Sequence, residues 1–71
     1  MDLLINGQPR SFPQLETGAT LIDLLAALGL KADQVAVEHN GSIVPRNSWP
    51  ATPLASGDQF EIVHFVGGGK A

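Results

Sequence analysis

The sequence predicts an α+β chain of order β-β-α-β-β-β, in which one helix covers one face of a mixed sheet of about five strands. Three observations carry this. The dipeptide Asn-Gly stands between short β-type runs at both Asn6-Gly7 and Asn40-Gly41, and it supplies the positive φ angles of a two-residue hairpin turn. Between the two hairpins Leu21, Leu24, Leu25 and Leu28 repeat at helical spacing and make one apolar stripe. The final run, Gln59 to Val66, becomes apolar on both faces, which suits a strand with neighbours on both sides.

In chain order, Leu3-Leu4-Ile5 and Gln8 to Phe12 are the arms of the first hairpin. Pro9 lacks an N–H for a ladder, so its strand belongs at a sheet edge. Thr20 and Gly29 bracket the helix: Thr20 can accept from the backbone amide of Asp23, the Asp23 carboxylate complements the helix dipole, and Gly29 fits the left-handed position past the end. Lys31 to Gln34 reads as a polar connection to a second hairpin, Val35 to His39 and Ser42 to Val44. Pro45 to Pro50 favours a turn or short helical turn, with Trp49 large enough to close one end of the core. Leu54 is the expected anchor of the crossing from Pro50 to Gly57, and Gly57-Asp58 marks a turn before the last strand. This arrangement is the ubiquitin-like β-grasp.

Seventy-one residues hold one domain. A chain of this size buries only about 60% of its unfolded surface, so its core must be efficient. An apolar share of 44% beside 15% charged residues indicates a folded body. The absence of cysteine removes disulfides, thiolate zinc sites and a cysteine nucleophile from consideration. The net charge is -3, and Arg10, Lys31, Arg46 and Lys70 are scattered, so no basic stripe for nucleic acid exists. The apolar run at the N-terminus is too short for a signal peptide or membrane span, and a cytoplasmic location is expected.

The body is expected to span residues 1–66, with 67–71 a flexible glycine-rich tail, Gly67-Gly68-Gly69-Lys70-Ala71. Without Cβ atoms, Gly67, Gly68 and Gly69 can thread a channel too narrow for side chains. A frayed end or a linker remnant is the plain alternative.

The segment Asn40-Gly41-Ser42-Ile43-Val44-Pro45-Arg46, with Trp49 three residues on, resembles the sulfur carrier proteins of thiamine biosynthesis, the ThiS family. So does Gly57-Asp58 followed by Glu61-Ile62-Val63 and the glycine tail, and the likeness runs from the first hairpin to Gly69. The resemblance implies that a ubiquitin-activating-type adenylyltransferase uses ATP to join AMP to the terminal glycine carboxylate. Sulfur from a persulfide donor, a cysteine desulfurase or a rhodanese-type protein, then displaces AMP. The thiocarboxylate formed would supply thiazole synthase. No cofactor is expected on the chain itself, and ATP belongs to the partner.

One departure matters: the family ends in Gly-Gly with a free carboxylate, whereas this chain continues as Gly69-Lys70-Ala71. Cleavage between Gly69 and Lys70 by a processing peptidase is therefore expected, leaving Gly69 to carry the sulfur. Lys70-Ala71 reads equally as a natural extension or as a remnant.

Val63 and Phe65 share a strand face with Glu61, opposite Phe60 and Ile62, and are the candidate docking residues beside the tail. Packing under a loop or a dimer contact is the plain reading. Arg46 has two possible roles, orienting a partner carboxylate or holding its own loop through backbone carbonyls. His39 and His64 read as isolated strand histidines with no carboxylate at metal-ligand spacing. No serine sits in a hydrolytic motif, so no catalytic residue and no metal site are expected. Two other functions fit the same pattern: a carrier or protein modifier serving another pathway, such as molybdopterin synthesis, and a β-grasp interaction module with an idle tail.

Overall fold

The structure, a computed structural model, describes residues 1–65. Its strands are β1 (Asp2–Ile5), β2 (Gln8–Ser11), β3 (Val35–His39), β4 (Ser42–Ile43) and β5 (Gln59–His64), with one α-helix, α1 (Leu21–Ala27), between the hairpins. They form one sheet of order β2-β1-β5-β3-β4. β1 and β5 run parallel, while β1 with β2, β3 with β4 and β3 with β5 are antiparallel. This is the ubiquitin-like β-grasp. The last strand lies at the centre of the sheet and Pro9 lies on an outer strand, as the patterns require.

Both turns adopt the left-handed geometry that Asn-Gly favours, with φ of 51° and 80° at Asn6 and Gly7 and 49° and 90° at Asn40 and Gly41. α1 begins in a capping box whose shorter limb is the Asp23 carboxylate accepting from the Thr20 backbone N–H at 2.8 Å. It ends at Leu28 and Gly29, the latter at φ 72°. Leu21, Leu24 and Leu25 are buried, whereas Leu28, at the C-cap, is only half-buried. The stripe packs on Leu3, Ile5, Val35, Val37, Phe60 and Ile62 from the sheet. Each such side chain contributes about 1.5–3 kcal/mol when fully buried, and with no cysteine this packing carries the stability.

Several boundaries differ from expectation. The strand anticipated to run to Val66 ends at His64, that anticipated to Phe12 ends at Ser11, and β4 stops at Ile43. Phe12 leaves its strand to become buried core. Just past β4, the Val44 N–H still donates to the Val37 carbonyl at 3.0 Å, while the Val44 carbonyl accepts from Trp49 Nε1 at 2.9 Å. The polar connection contains a 3₁₀ turn, Ala32–Gln34, and a second one, Arg46–Ala51, holds Trp49 at 1% exposure. That second turn is secured by the Trp49 bond and by Thr52 Oγ1 donating to the Ser48 carbonyl at 2.7 Å. Arg46, offered as a possible clamp of this loop, is exposed and makes no such bond among the described residues. The indole and the threonine hydroxyl lie closer to the carbonyls in need. Leu54 is buried as the anchor of the crossing, and its N–H donates to the Ala19 carbonyl at 2.9 Å.

Candidate functional site: the open sheet face and the tail-bearing strand

Side chains alternate along a strand, so the residues of β5 that avoid the helix share the opposite face. Phe60 and Ile62 point into the core, and Gln59, Glu61 and Val63 point away from it. Val63 is 59% exposed and Phe65, just past the strand end, 53% exposed. The structure thus leaves both sequence-predicted docking residues open. Ile43, on β4, is 76% exposed and pairs in register with Glu38, adding an apolar residue that the sequence reading left out. Ala36, also exposed, lies opposite Val63.

The centre of this face is acidic. Glu38 of β3 stands directly opposite Glu61 of β5, and like charges in that relation are destabilising. Neither glutamate makes an ion pair among the described residues. An apolar rim around a self-repelling pair is poorly explained by the needs of the isolated fold.

Where the second hairpin meets the start of β5, the structure corrects the reading of His39 as isolated. Its Nε2 lies 3.0 Å from Asp58 Oδ2, and its ring stacks on Phe60 with centroids 4.7 Å apart. Asp58 also accepts from the Ala55 backbone N–H at 2.9 Å and from Asn40 Nδ2 at 3.4 Å. Asn40 Oδ1 accepts from the Gln59 N–H at 2.9 Å. Neighbours 18 or 19 residues away in sequence are what a local pattern cannot show. His64, by contrast, is exposed.

Burial pushes the Asp58 carboxyl up, but the Ala55 amide, with His39 and Asn40, outweighs it and holds the group below its ordinary value. A carboxyl whose folded pKa is depressed stabilises the fold above its unfolded pKa. That contribution is lost as pH falls through the folded value. Asp58→Asn is therefore expected to be less stable than the parent near neutrality and to show a flatter loss of stability from about pH 5 to about pH 2. Thermal unfolding across that range checks it, and parallel pH profiles for the two proteins would refute the assignment.

The tail assignments at Gly67, Gly68 and Gly69, and the cleavage point at Gly69 and Lys70, lie outside the described residues. What the structure supplies is the position of the strand that leads to them. Among the described residues no three His, Cys, Asp or Glu side chains come together as a metal-binding group, and no helix is long and apolar enough to cross a membrane.

The family model described as the ThiS family matches residues 3–69. The chain is 40% identical over 67 residues to the sulfur carrier protein ThiS of Bacillus subtilis, covering 94% of this chain and 98% of that one. It is 43% identical over 70 residues to a thiazole synthase of Magnetococcus marinus, where the match covers 99% of this chain and 21% of the relative. A thiazole synthase of Paramagnetospirillum magneticum is similar at 44% identity, and there too the chain spans only 21% of the relative's length. Among solved structures, the crystal structure of the thiamine biosynthesis protein ThiS from Geobacter metallireducens superposes with a TM-score of 0.81 at 37% identity, covering 97% of this chain and 100% of that one.

Proposed function

The chain belongs to the ThiS family, and from that premise we propose that it is a sulfur carrier of thiamine biosynthesis, a protein cosubstrate rather than an enzyme. The observation that carries this reading is positional: the central strand, buried on one face and exposed on the other, is followed in sequence by Phe65, Val66 and then Gly67-Gly68-Gly69. After removal of Lys70 and Ala71 by a peptidase, the Gly69 carboxylate attacks the α-phosphorus of ATP on an adenylyltransferase of the ubiquitin-activating type. Pyrophosphate leaves, and a poor electrophile becomes an acyl-adenylate with AMP as a good leaving group. The terminal sulfur of a donor persulfide, on a cysteine desulfurase or rhodanese-type protein, then attacks the carbonyl carbon and AMP departs. A second thiol resolves the acyl disulfide and releases the Gly69 thiocarboxylate. The absent side chains leave that carbonyl open to each attack.

Thiazole synthase is the proposed recipient. Relatives of that name contain a stretch similar to nearly the whole of this chain, which supports a working partnership between the two activities. The reactions are placed in the cytoplasm, where ATP and persulfide donors are at hand.

The test is to incubate the chain ending at Gly69 with ATP, the cognate adenylyltransferase and a persulfide donor, following its mass. An AMP adduct and then an oxygen-to-sulfur gain are expected. The Phe65→Asp variant should form the adduct at least about tenfold more slowly, because a charge replaces an apolar contact at the docking rim. No adduct on the parent chain would end the carrier reading, and an unaffected Phe65→Asp would remove the docking assignment alone.

A further inference from the structure

The two Asn-Gly turns share one left-handed backbone geometry, yet they hold their asparagine side chains differently. Asn6 is tied at both ends of its carboxamide: Oδ1 accepts from the Ile62 N–H at 2.7 Å and Nδ2 donates to the Ile62 carbonyl at 3.2 Å, both bonds partly buried. A carboxamide carries the same donor and acceptor as a peptide group, so Asn6 completes the ladder between β1 and β5 where the main chain turns away. Asn40 is tied to the backbone at one atom only. Its Oδ1 accepts from the Gln59 N–H at 2.9 Å in an exposed bond. Its Nδ2 has two long side-chain contacts, 3.4 Å to Asp58 Oδ1 and 3.3 Å to His39 Nε2, both exposed.

The hairpins behind the turns differ as well. The first pairs at four positions, from Asp2 with Ser11 to Ile5 with Gln8, and the second at two, Glu38 with Ile43 and His39 with Ser42. A shorter ladder opens locally at lower cost, so the turn it carries samples more conformations. Such sampling matters at Asn-Gly, where the glycine nitrogen can close a five-membered ring on the asparagine Cγ and no Cβ obstructs its approach. Neither Gly7 nor Gly41 spends its N–H on a backbone carbonyl among the described residues. The nucleophile is therefore alike in both turns, and the hold on the carboxamide decides between them.

We infer that Asn40 is a self-modification site of the folded chain, converted to aspartate and isoaspartate, and that its conversion unties the second hairpin from the start of β5. The Gly41 nitrogen gives up its proton and attacks Asn40 Cγ. The Cγ–Nδ2 bond breaks and the nitrogen leaves as ammonia, with His39 Nε2, 3.3 Å from it, as a titratable neighbour through which the proton can pass. Water then opens the succinimide: attack at Cγ gives aspartate, and attack at the former backbone carbonyl carbon gives isoaspartate. In the aspartate an oxygen stands where Nδ2 met Asp58, so a donor contact becomes carboxylate against carboxylate. In the isoaspartate the Cβ carbon has entered the main chain, and the group that held Gln59 is no longer a side chain. The reaction needs no enzyme and is independent of the carrier reading.

The experiment holds the full chain at mildly alkaline pH, folded in buffer and, in parallel, unfolded in concentrated guanidinium chloride. Samples taken over time are digested, and the peptides containing Asn6 and Asn40 are quantified as amide, aspartate and isoaspartate by chromatography and mass. Each site's folded rate is divided by its own unfolded rate, which removes any difference due to flanking sequence. The ratio for Asn40 should exceed that for Asn6 by at least about tenfold. Aspartate and isoaspartate should both form at Asn40, and the converted chain, recovered by anion exchange, should melt below the parent. Equal ratios, a larger ratio at Asn6, or a folded chain in which Asn40 stays intact while the unfolded chain reacts would overturn the inference. So would a converted chain with the parent's thermal midpoint, because the carboxamide would then tie nothing together.

Discussion

A chain that keeps Lys70 and Ala71 is expected to form no acyl-adenylate where the chain ending at Gly69 forms it readily, a difference of at least about a thousandfold in rate. The cause is covalent. In the intact chain the Gly69 carbonyl belongs to a peptide bond with Lys70, whose nitrogen lone pair is delocalised into the carbonyl. Gly69 then has no carboxylate oxygen to attack ATP, and the amine is a poor leaving group for any sulfur nucleophile. Trimming supplies the nucleophile, a Gly69 carboxylate oxygen, and once that oxygen carries AMP the Gly69 carbonyl carbon becomes the electrophile. Pyrophosphate release from each form, with the mass of the carrier recovered from its native cells, settles the matter. Equal rates from the two forms, or a native chain that always retains Lys70 and Ala71, would show that Gly69 is not the reactive end.

Trp49→Ala should be the most damaging single substitution in the body of the domain. Trp49 is 1% exposed, and its indole N–H is committed to the Val44 carbonyl at 2.9 Å. Truncation of a buried tryptophan costs about 3–5 kcal/mol, against about 4–11 kcal/mol for a whole domain of this length. On these figures the variant should give up roughly half of that margin, and its urea midpoint should fall accordingly. Trp49→Phe keeps most of the volume and gives up the hydrogen bond, with an expected loss nearer 1–2 kcal/mol. Urea titration followed by circular dichroism compares the three proteins. A loss below about 1.5 kcal/mol for the alanine variant would mean that the cavity collapses and that Trp49 is not the keystone its burial suggests.

The elements legible in the sequence were those written in local chemistry. Asn-Gly specified both turns, the leucine spacing specified α1, and Pro9 assigned its strand to the periphery, because each depends on residues within a few positions of one another. The exposure of Val63 and Phe65 followed from strand alternation once a single covering helix was assumed. What stayed hidden depends on register between distant segments. His39 meets Asp58, Glu38 faces Glu61, and Asn6 completes the ladder at Ile62 only after β5 has been laid between β1 and β3. Asn6 and Asn40 were read as turn formers, and that role concealed a second one, since both side chains also grip the backbone of β5. Arg46 illustrates the reverse error: a charged residue near a turn suggested a clamp, but Trp49 and Thr52 reach the carbonyls from within the same turn.

The margins of the sheet bear on how such a molecule behaves when many copies are present. One margin is four exposed residues that include a proline, and the other is two residues long. Neither offers another copy much backbone to extend, so stacking into fibres has little to build on even in concentrated solution. The strand that leads to the proposed reactive end lies innermost, where a neighbouring copy cannot pair with its backbone.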